Sequence, residues 1–131
     1  MDSLEPGASW THEFSFTQDQ VNDFARITGD NNPLHLDPEY AATTAFKRPI
    51  MHGMLSACVF SKVFGTITPG PKSIYLSQTI EFLGALYVDT IYRAEFTVIN
   101  SDGKRRCIQT QILDPESGKV LTNGQAWLRV R

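Results

Sequence analysis

The spacing of apolar positions changes twice along the chain, and each change marks a new kind of element. Over residues 10–16, WTHEFSF, Trp10, His12, Phe14 and Phe16 alternate with Thr11, Glu13 and Ser15, the period of two that predicts a strand with His12 at its surface. From Thr17 the period lengthens: Val21, Phe24, Ala25 and Thr28 share one helical face. Thr17 suits the N-cap, Gln20 completes a capping box with it, Phe16 and Val21 can form a hydrophobic staple, and Gly29 suits the C-terminal cap. Asp37 followed by Pro38 repeats the start signal and predicts a short helix over residues 38–44. Residues 51–64, MHGMLSACVFSKVF, are apolar on nearly every side, with Lys62 near the end where the helix dipole favours a cation. Such a helix belongs inside a core, and Gly65 is expected to end it.

After the turn-rich TPGPK segment the period returns to two. Ile74, Leu76, Ile80 and Phe82 fall on one face and Tyr75, Ser77, Thr79 and Glu81 on the other, which predicts a half-buried strand over 73–82. Three more strands are predicted over 87–99, 104–113 and 119–130. The short turns SDGK and DPESG make these neighbours antiparallel. The reading is an α+β fold in a single domain, 1–131: an antiparallel sheet of about five strands wrapped around a central apolar helix.

Composition narrows the function classes. The length fits one domain, and 41% hydrophobic residues supply a core. A net charge of −2 without long runs of like charge gives no footprint for nucleic acid or an anionic membrane. Cys58 and Cys107 lack pairing or metal-ligand spacing and are expected as reduced thiols. MDSLEPG is acidic without an apolar core, and no stretch of about twenty apolar residues follows. A cytoplasmic protein with neither secretory signal nor membrane span is the expectation.

Chemistry concentrates in residues 28–53, which hold two of the three histidines. Asp30, Asn32, Pro33 and His35 lie within six positions, just after the helix end expected at Gly29. Pro33 disfavours a helical Asn32, so Asp30 to His35 reads as a bent loop on which a carboxylate and an imidazole can converge. Taken alone, these residues also suit a structural loop with an aspartate cap and a surface histidine. Asp30, His35, Asp37 and His52 are donors that zinc accepts, but their spacing matches no recognised metal signature, and no metal is expected.

The run GDNNPLHLDPEYAATTAFKRPIMHGML resembles the signature of the (R)-specific enoyl-CoA hydratases, the MaoC-like hydratases and dehydratases with the hot-dog fold. That pattern is an aspartate, any residue, asparagine, proline, any residue and histidine, with a histidine-glycine pair further on. Asp30, Asn32, Pro33, His35, His52 and Gly53 match it without departure. The PGPKSIYLSQTIEF segment is also similar to the family's first strand after the central helix.

The resemblance implies reversible hydration of trans-2-enoyl thioesters to (3R)-hydroxyacyl thioesters, with enoyl-CoA or an enoyl-acyl-carrier-protein as substrate, no separate cofactor, and a homodimer. It implies Asp30 and His35 as the catalytic pair around one water and the Gly53 N–H as oxyanion donor. Asn32 is expected to tie the loop together or to touch substrate, and His52 to orient the loop or act as a second proton carrier. Ser61 is a candidate hydrogen-bonding group near the site. Phe64 is expected to shorten the acyl pocket. Lys47, Arg48 and Lys72 are candidate partners for coenzyme A phosphates, with solvated surface charge as the plainer reading. A hot-dog thioesterase and a non-catalytic acyl-thioester binding protein are the rival readings.

Overall fold

The structure, a computed structural model, describes residues 4–131. Strand β1 (Ser9–Phe14) leads through helices α1 (Gln18–Thr28), α2 (Pro33–Leu36), α3 (Pro38–Ala42) and α4 (Gly53–Thr66) to strands β2 (Ile74–Phe82), β3 (Tyr92–Asp102), β4 (Arg105–Leu113) and β5 (Val120–Arg129). The five strands form one antiparallel sheet in the order β1-β3-β4-β5-β2, so that β1 and β2 are its edges. The sheet wraps α4 in the hot-dog arrangement.

The core forms where the apolar face of α4 meets the inward positions of the sheet. Phe60, Val63 and Phe64 of α4 are buried with Phe96, Ile108, Ile112 and Leu128. Phe96 is the hub: Phe60 and Phe64 meet it edge-on at 5.8 and 5.3 Å, and Trp10 from β1 stacks on it at 5.5 Å. Each such ring contributes about 1.5–3 kcal/mol by burial, enough to hold a helix whose residues show little preference for one side.

Local signals translate faithfully at α1. Thr17 and Gln20 form the reciprocal capping box, and Gly29 closes the helix at φ 80°, its N–H bonded to the Ala25 carbonyl at 2.8 Å. β1 alternates as expected, although His12 is half-buried rather than a surface residue.

Four expectations need correction. The Asp30 to His35 loop is partly helical: Asn32 caps a single turn, α2, whose first residue is Pro33, because proline's fixed φ suits that position. The central helix starts at Gly53 and runs past Gly65 to Thr66, since a glycine there sacrifices only propensity while the backbone ladder continues. Residues 87–91 precede β3 instead of belonging to it. β2 is mostly exposed on both faces, since it lies at the sheet edge and carries an irregularity between Tyr75 and Ser77 that interrupts its alternation.

Candidate active site

Three elements converge on the site: the end of α1, the α2 turn and the start of α4. Gly29 turns the chain so that Asp30 leaves the helix exposed, its N–H bonded to the Thr28 hydroxyl at 3.2 Å. Asn32 accepts from Leu34 N at 3.0 Å, and its own carbonyl accepts from His35 N at 3.0 Å. Its side chain therefore ties the loop, as the amide of a capping residue does. Gln18, at the start of α1, holds the same turn by donating to the His35 carbonyl at 3.0 Å.

His35 Nδ1 lies 2.8 Å from the Ile50 carbonyl. A carbonyl only accepts, so Nδ1 carries a proton, and in the neutral imidazole Nε2 keeps a lone pair. His52, buried at the N-cap of α4, places Nε2 2.9 Å from the backbone carbonyl of Asp30. The His35 and His52 rings stack at 3.9 Å, and Phe24 lies against His52 at 4.9 Å.

These residues line one wall of a cavity of about 490 Å³. Asp30, His35, His52 and Gly53 form its polar end; Phe46, Met54, Phe82 and Leu83 form apolar walls. Gly53 is the first residue of α4, where a backbone N–H has no intrahelical acceptor and the helix dipole favours negative charge. Its lack of a side chain lets the Phe82 ring pack close. A Cβ there would lie 2.7 Å from Phe82 Cε1. An oxygen gaining negative charge at this end would be stabilised by the N-terminus of α4, while the Asp30 carboxylate and the His35 imidazole offer proton-accepting groups beside it.

Asp30, His35 and His52 each offer a ligand atom within 4.8 Å of the other two, a geometry compatible with a divalent ion. One nitrogen of each histidine is already committed to a carbonyl, Ile50 for His35 and Asp30 for His52.

The remaining sequence candidates lie elsewhere. Ser61 sits on an exposed face of α4 and does not line the cavity. Phe64 is 1% exposed, its ring packed against Phe96 and Tyr75, so in the single chain it is a core residue and not part of the cavity wall. Arg48 covers the Tyr87 ring at 4.0 Å, and Tyr87 donates to the carbonyl of the cavity residue Phe46 at 3.1 Å. Arg48 and its neighbour Lys47 thus stand beside the cavity, whereas Lys72 lies in the turn before β2.

Sequence reasoning missed the wall formed by Phe82, the last residue of β2, and the following residues to Leu86, joined to the site by a 2.7 Å bond from Met51 N to the Leu86 carbonyl. The Gly84–Ala85 interruption of the apolar run was the available signal.

Comparison with known proteins decides the family. Residues 5–119 match the model of the MaoC-like domain. The chain belongs to the MaoC-like family. An (R)-specific enoyl-CoA hydratase of Aeromonas caviae is 38% identical to this MaoC-like chain over 130 residues, covering 98% of it and 96% of the relative. A second (R)-specific enoyl-CoA hydratase, from Rhodospirillum rubrum, is 32% identical, covering 98% and 90%. Among solved structures, the (R)-hydratase from A. caviae involved in PHA biosynthesis superposes with a TM-score of 0.93 over 100% of both chains at 38% identity. An R-hydratase from Pseudomonas aeruginosa does so with 0.90 over 97% and 82% at 36% identity.

Proposed function

We propose that this MaoC-like protein catalyses reversible addition of water to the double bond of a trans-2-enoyl thioester, giving the (3R)-hydroxyacyl thioester. The observation that carries the reading is the meeting of an Asp30 carboxylate, a His35 with its Nε2 lone pair available, and the first backbone N–H of α4 at Gly53 in one apolar cavity. The likeness to two named (R)-specific hydratases over nearly their full length supports it.

In this step the water oxygen bonds to the β-carbon, one of its protons is taken up by the site, and a proton is delivered to the α-carbon. His35 and Asp30 hold the water between them and carry those protons, because both are within reach of one small molecule and one is an acceptor nitrogen. As the oxygen attacks, negative charge gathers on the thioester oxygen, where the Gly53 N–H meets it. The thioester itself activates the alkene, so the reaction calls for no cofactor or metal. Coenzyme A or a carrier protein bears the acyl group, and Lys47 and Arg48, next in sequence to the cavity residue Phe46, are the candidate partners for its phosphates.

The same proposal includes a homodimer. Ile74, Tyr75, Leu76, Phe82 and Leu83 are exposed along the edge strand β2 and its continuation, and Met54 is exposed on α4 beside the cavity. A second copy paired there would bury this apolar strip and protect an open sheet edge. Among the described residues no helix is long and apolar enough to cross a membrane. Two unpaired cysteines support a reducing, cytoplasmic setting.

The test is loss of the enoyl-thioester absorbance of crotonyl-CoA, with product chirality and free thiol followed together. Rapid loss giving (3R)-hydroxybutyryl-CoA without thiol is expected. Thiol release without hydration would make the protein a thioesterase, and neither signal across a series of acyl lengths would leave a binding protein.

A further inference from the structure

His52 occupies the N-cap of α4 yet makes no side-chain hydrogen bond to the helix it begins. Residues favoured at that position, such as serine or aspartate, bond to the backbone N–H groups of the first turn. The imidazole instead reaches back across the site. Nε2 lies 2.9 Å from the Asp30 carbonyl, which only accepts, so the proton resides on Nε2. The ring, 2% exposed, packs against Phe24 and stacks on His35 at 3.9 Å, while Nδ1 is buried without a hydrogen-bond partner among the described residues. A buried polar nitrogen with no partner opposes folding. The Nε2–H gives this ring a bond to the Asp30 backbone that an apolar ring with the same burial would lack.

Resting on the hydratase reading above, we infer that His52 is a positioning residue that registers the three working groups against one another. Its hydrogen bond fixes the backbone of Asp30, its ring face fixes the plane of His35, and its main chain starts the helix that presents Gly53. Small losses of such alignment lower turnover steeply, because the acid-base groups and the oxyanion donor must act on one substrate geometry.

The test compares wild type, His52→Phe and His52→Gln in crotonyl-CoA hydration and thermal unfolding, with long-range ¹H–¹⁵N spectra of the wild-type imidazoles. Phenylalanine keeps the ring and its burial but removes the donor; glutamine can return an N–H near Nε2. For His52→Phe we expect kcat to fall about tenfold to a hundredfold, KM to stay within about threefold, and the melting temperature to hold or rise. His52→Gln should recover a clear part of kcat, and the spectra should show the His52 proton on Nε2.

Wild-type turnover in His52→Phe, a loss confined to KM, or a His52→Gln variant no better than His52→Phe would overturn the inference. So would a His52 proton on Nδ1, a result that stands even if a variant fails to fold. Absence of hydration by the wild type would sink the hydratase reading separately, leaving the spectra to decide whether His52 holds Asp30.

Discussion

Asp30→Asn keeps the shape of the side chain and removes its capacity to hold a proton, while His35→Ala removes the imidazole bonded through Nδ1 to the Ile50 carbonyl. Each is expected to lower kcat about a hundredfold or more in steady-state hydration, the size of a lost acid-base contribution. Near-normal turnover in a folded variant would remove that residue from the mechanism. Gly53→Ala acts differently. Its Cβ would meet the Phe82 ring at 2.7 Å, so the ring or the helix start must shift; we expect kcat/KM to fall about tenfold or more with the fold retained, checked by circular dichroism alongside kinetics. Asp30, Asn32 and His35 were legible as candidates through the family pattern they match, since their types and spacing alone also suited a structural loop. The Ile50 and Asp30 carbonyls that orient the two histidines were not, since a backbone acceptor has no residue type to betray it. Phe64 was misleading for the opposite reason: its bulk suggested a pocket wall, but bulk also suits the hub around Phe96 that holds it.

Elements whose cause is local could be read almost to the residue. The α1 capping box needs only Thr17 and Gln20, and both behave as expected. β2 shows the limit of such reading: alternation separates two faces but does not say what covers them, and here an edge position leaves both largely exposed. Nor does periodicity reveal that β1 touches α4, where Lys62 Nζ approaches His12 Nε2 at 3.2 Å. Burial first, and then the Lys62 ammonium, lowers the His12 pKa below its usual 6.5. The folded state therefore resists protonating His12 more than the unfolded state does. This contribution is fully present above pH 6.5 and is lost as pH falls through the lowered value. In His12→Gln the drop in melting temperature between neutral and acidic pH is expected to be smaller than in wild type, as thermal scans across that range would show; an unchanged drop would remove His12 from the pH response.

For the whole molecule, a sheet around one apolar helix followed from the alternating segments and the apolar run, while the sheet order β1-β3-β4-β5-β2 depends on pairings far apart in sequence. The exposed apolar strip along β2 is the surface on which the proposed self-association can be tested. Analytical ultracentrifugation should find wild type at twice the mass of one chain and Leu76→Lys shifted toward the monomer, because a charge in a dry strand pairing is costly. A monomeric wild type at micromolar concentration would refute the dimer. The pairings also set an order of assembly. Ser9 must find Thr97, and Ile74 must find Arg129, while Leu83 and Gly84 of the cavity wall both donate to the carbonyl of Leu121. Such distant closures are slow relative to hairpins like β3–β4. On the ribosome, Asp30, His35 and Gly53 emerge early, yet the wall opposite them gains the bonds from Leu83 and Gly84 to Leu121 only as β5 is made. The cavity around these candidate residues is therefore completed late in synthesis, and a half-made chain carries them without the full wall that the finished fold sets opposite.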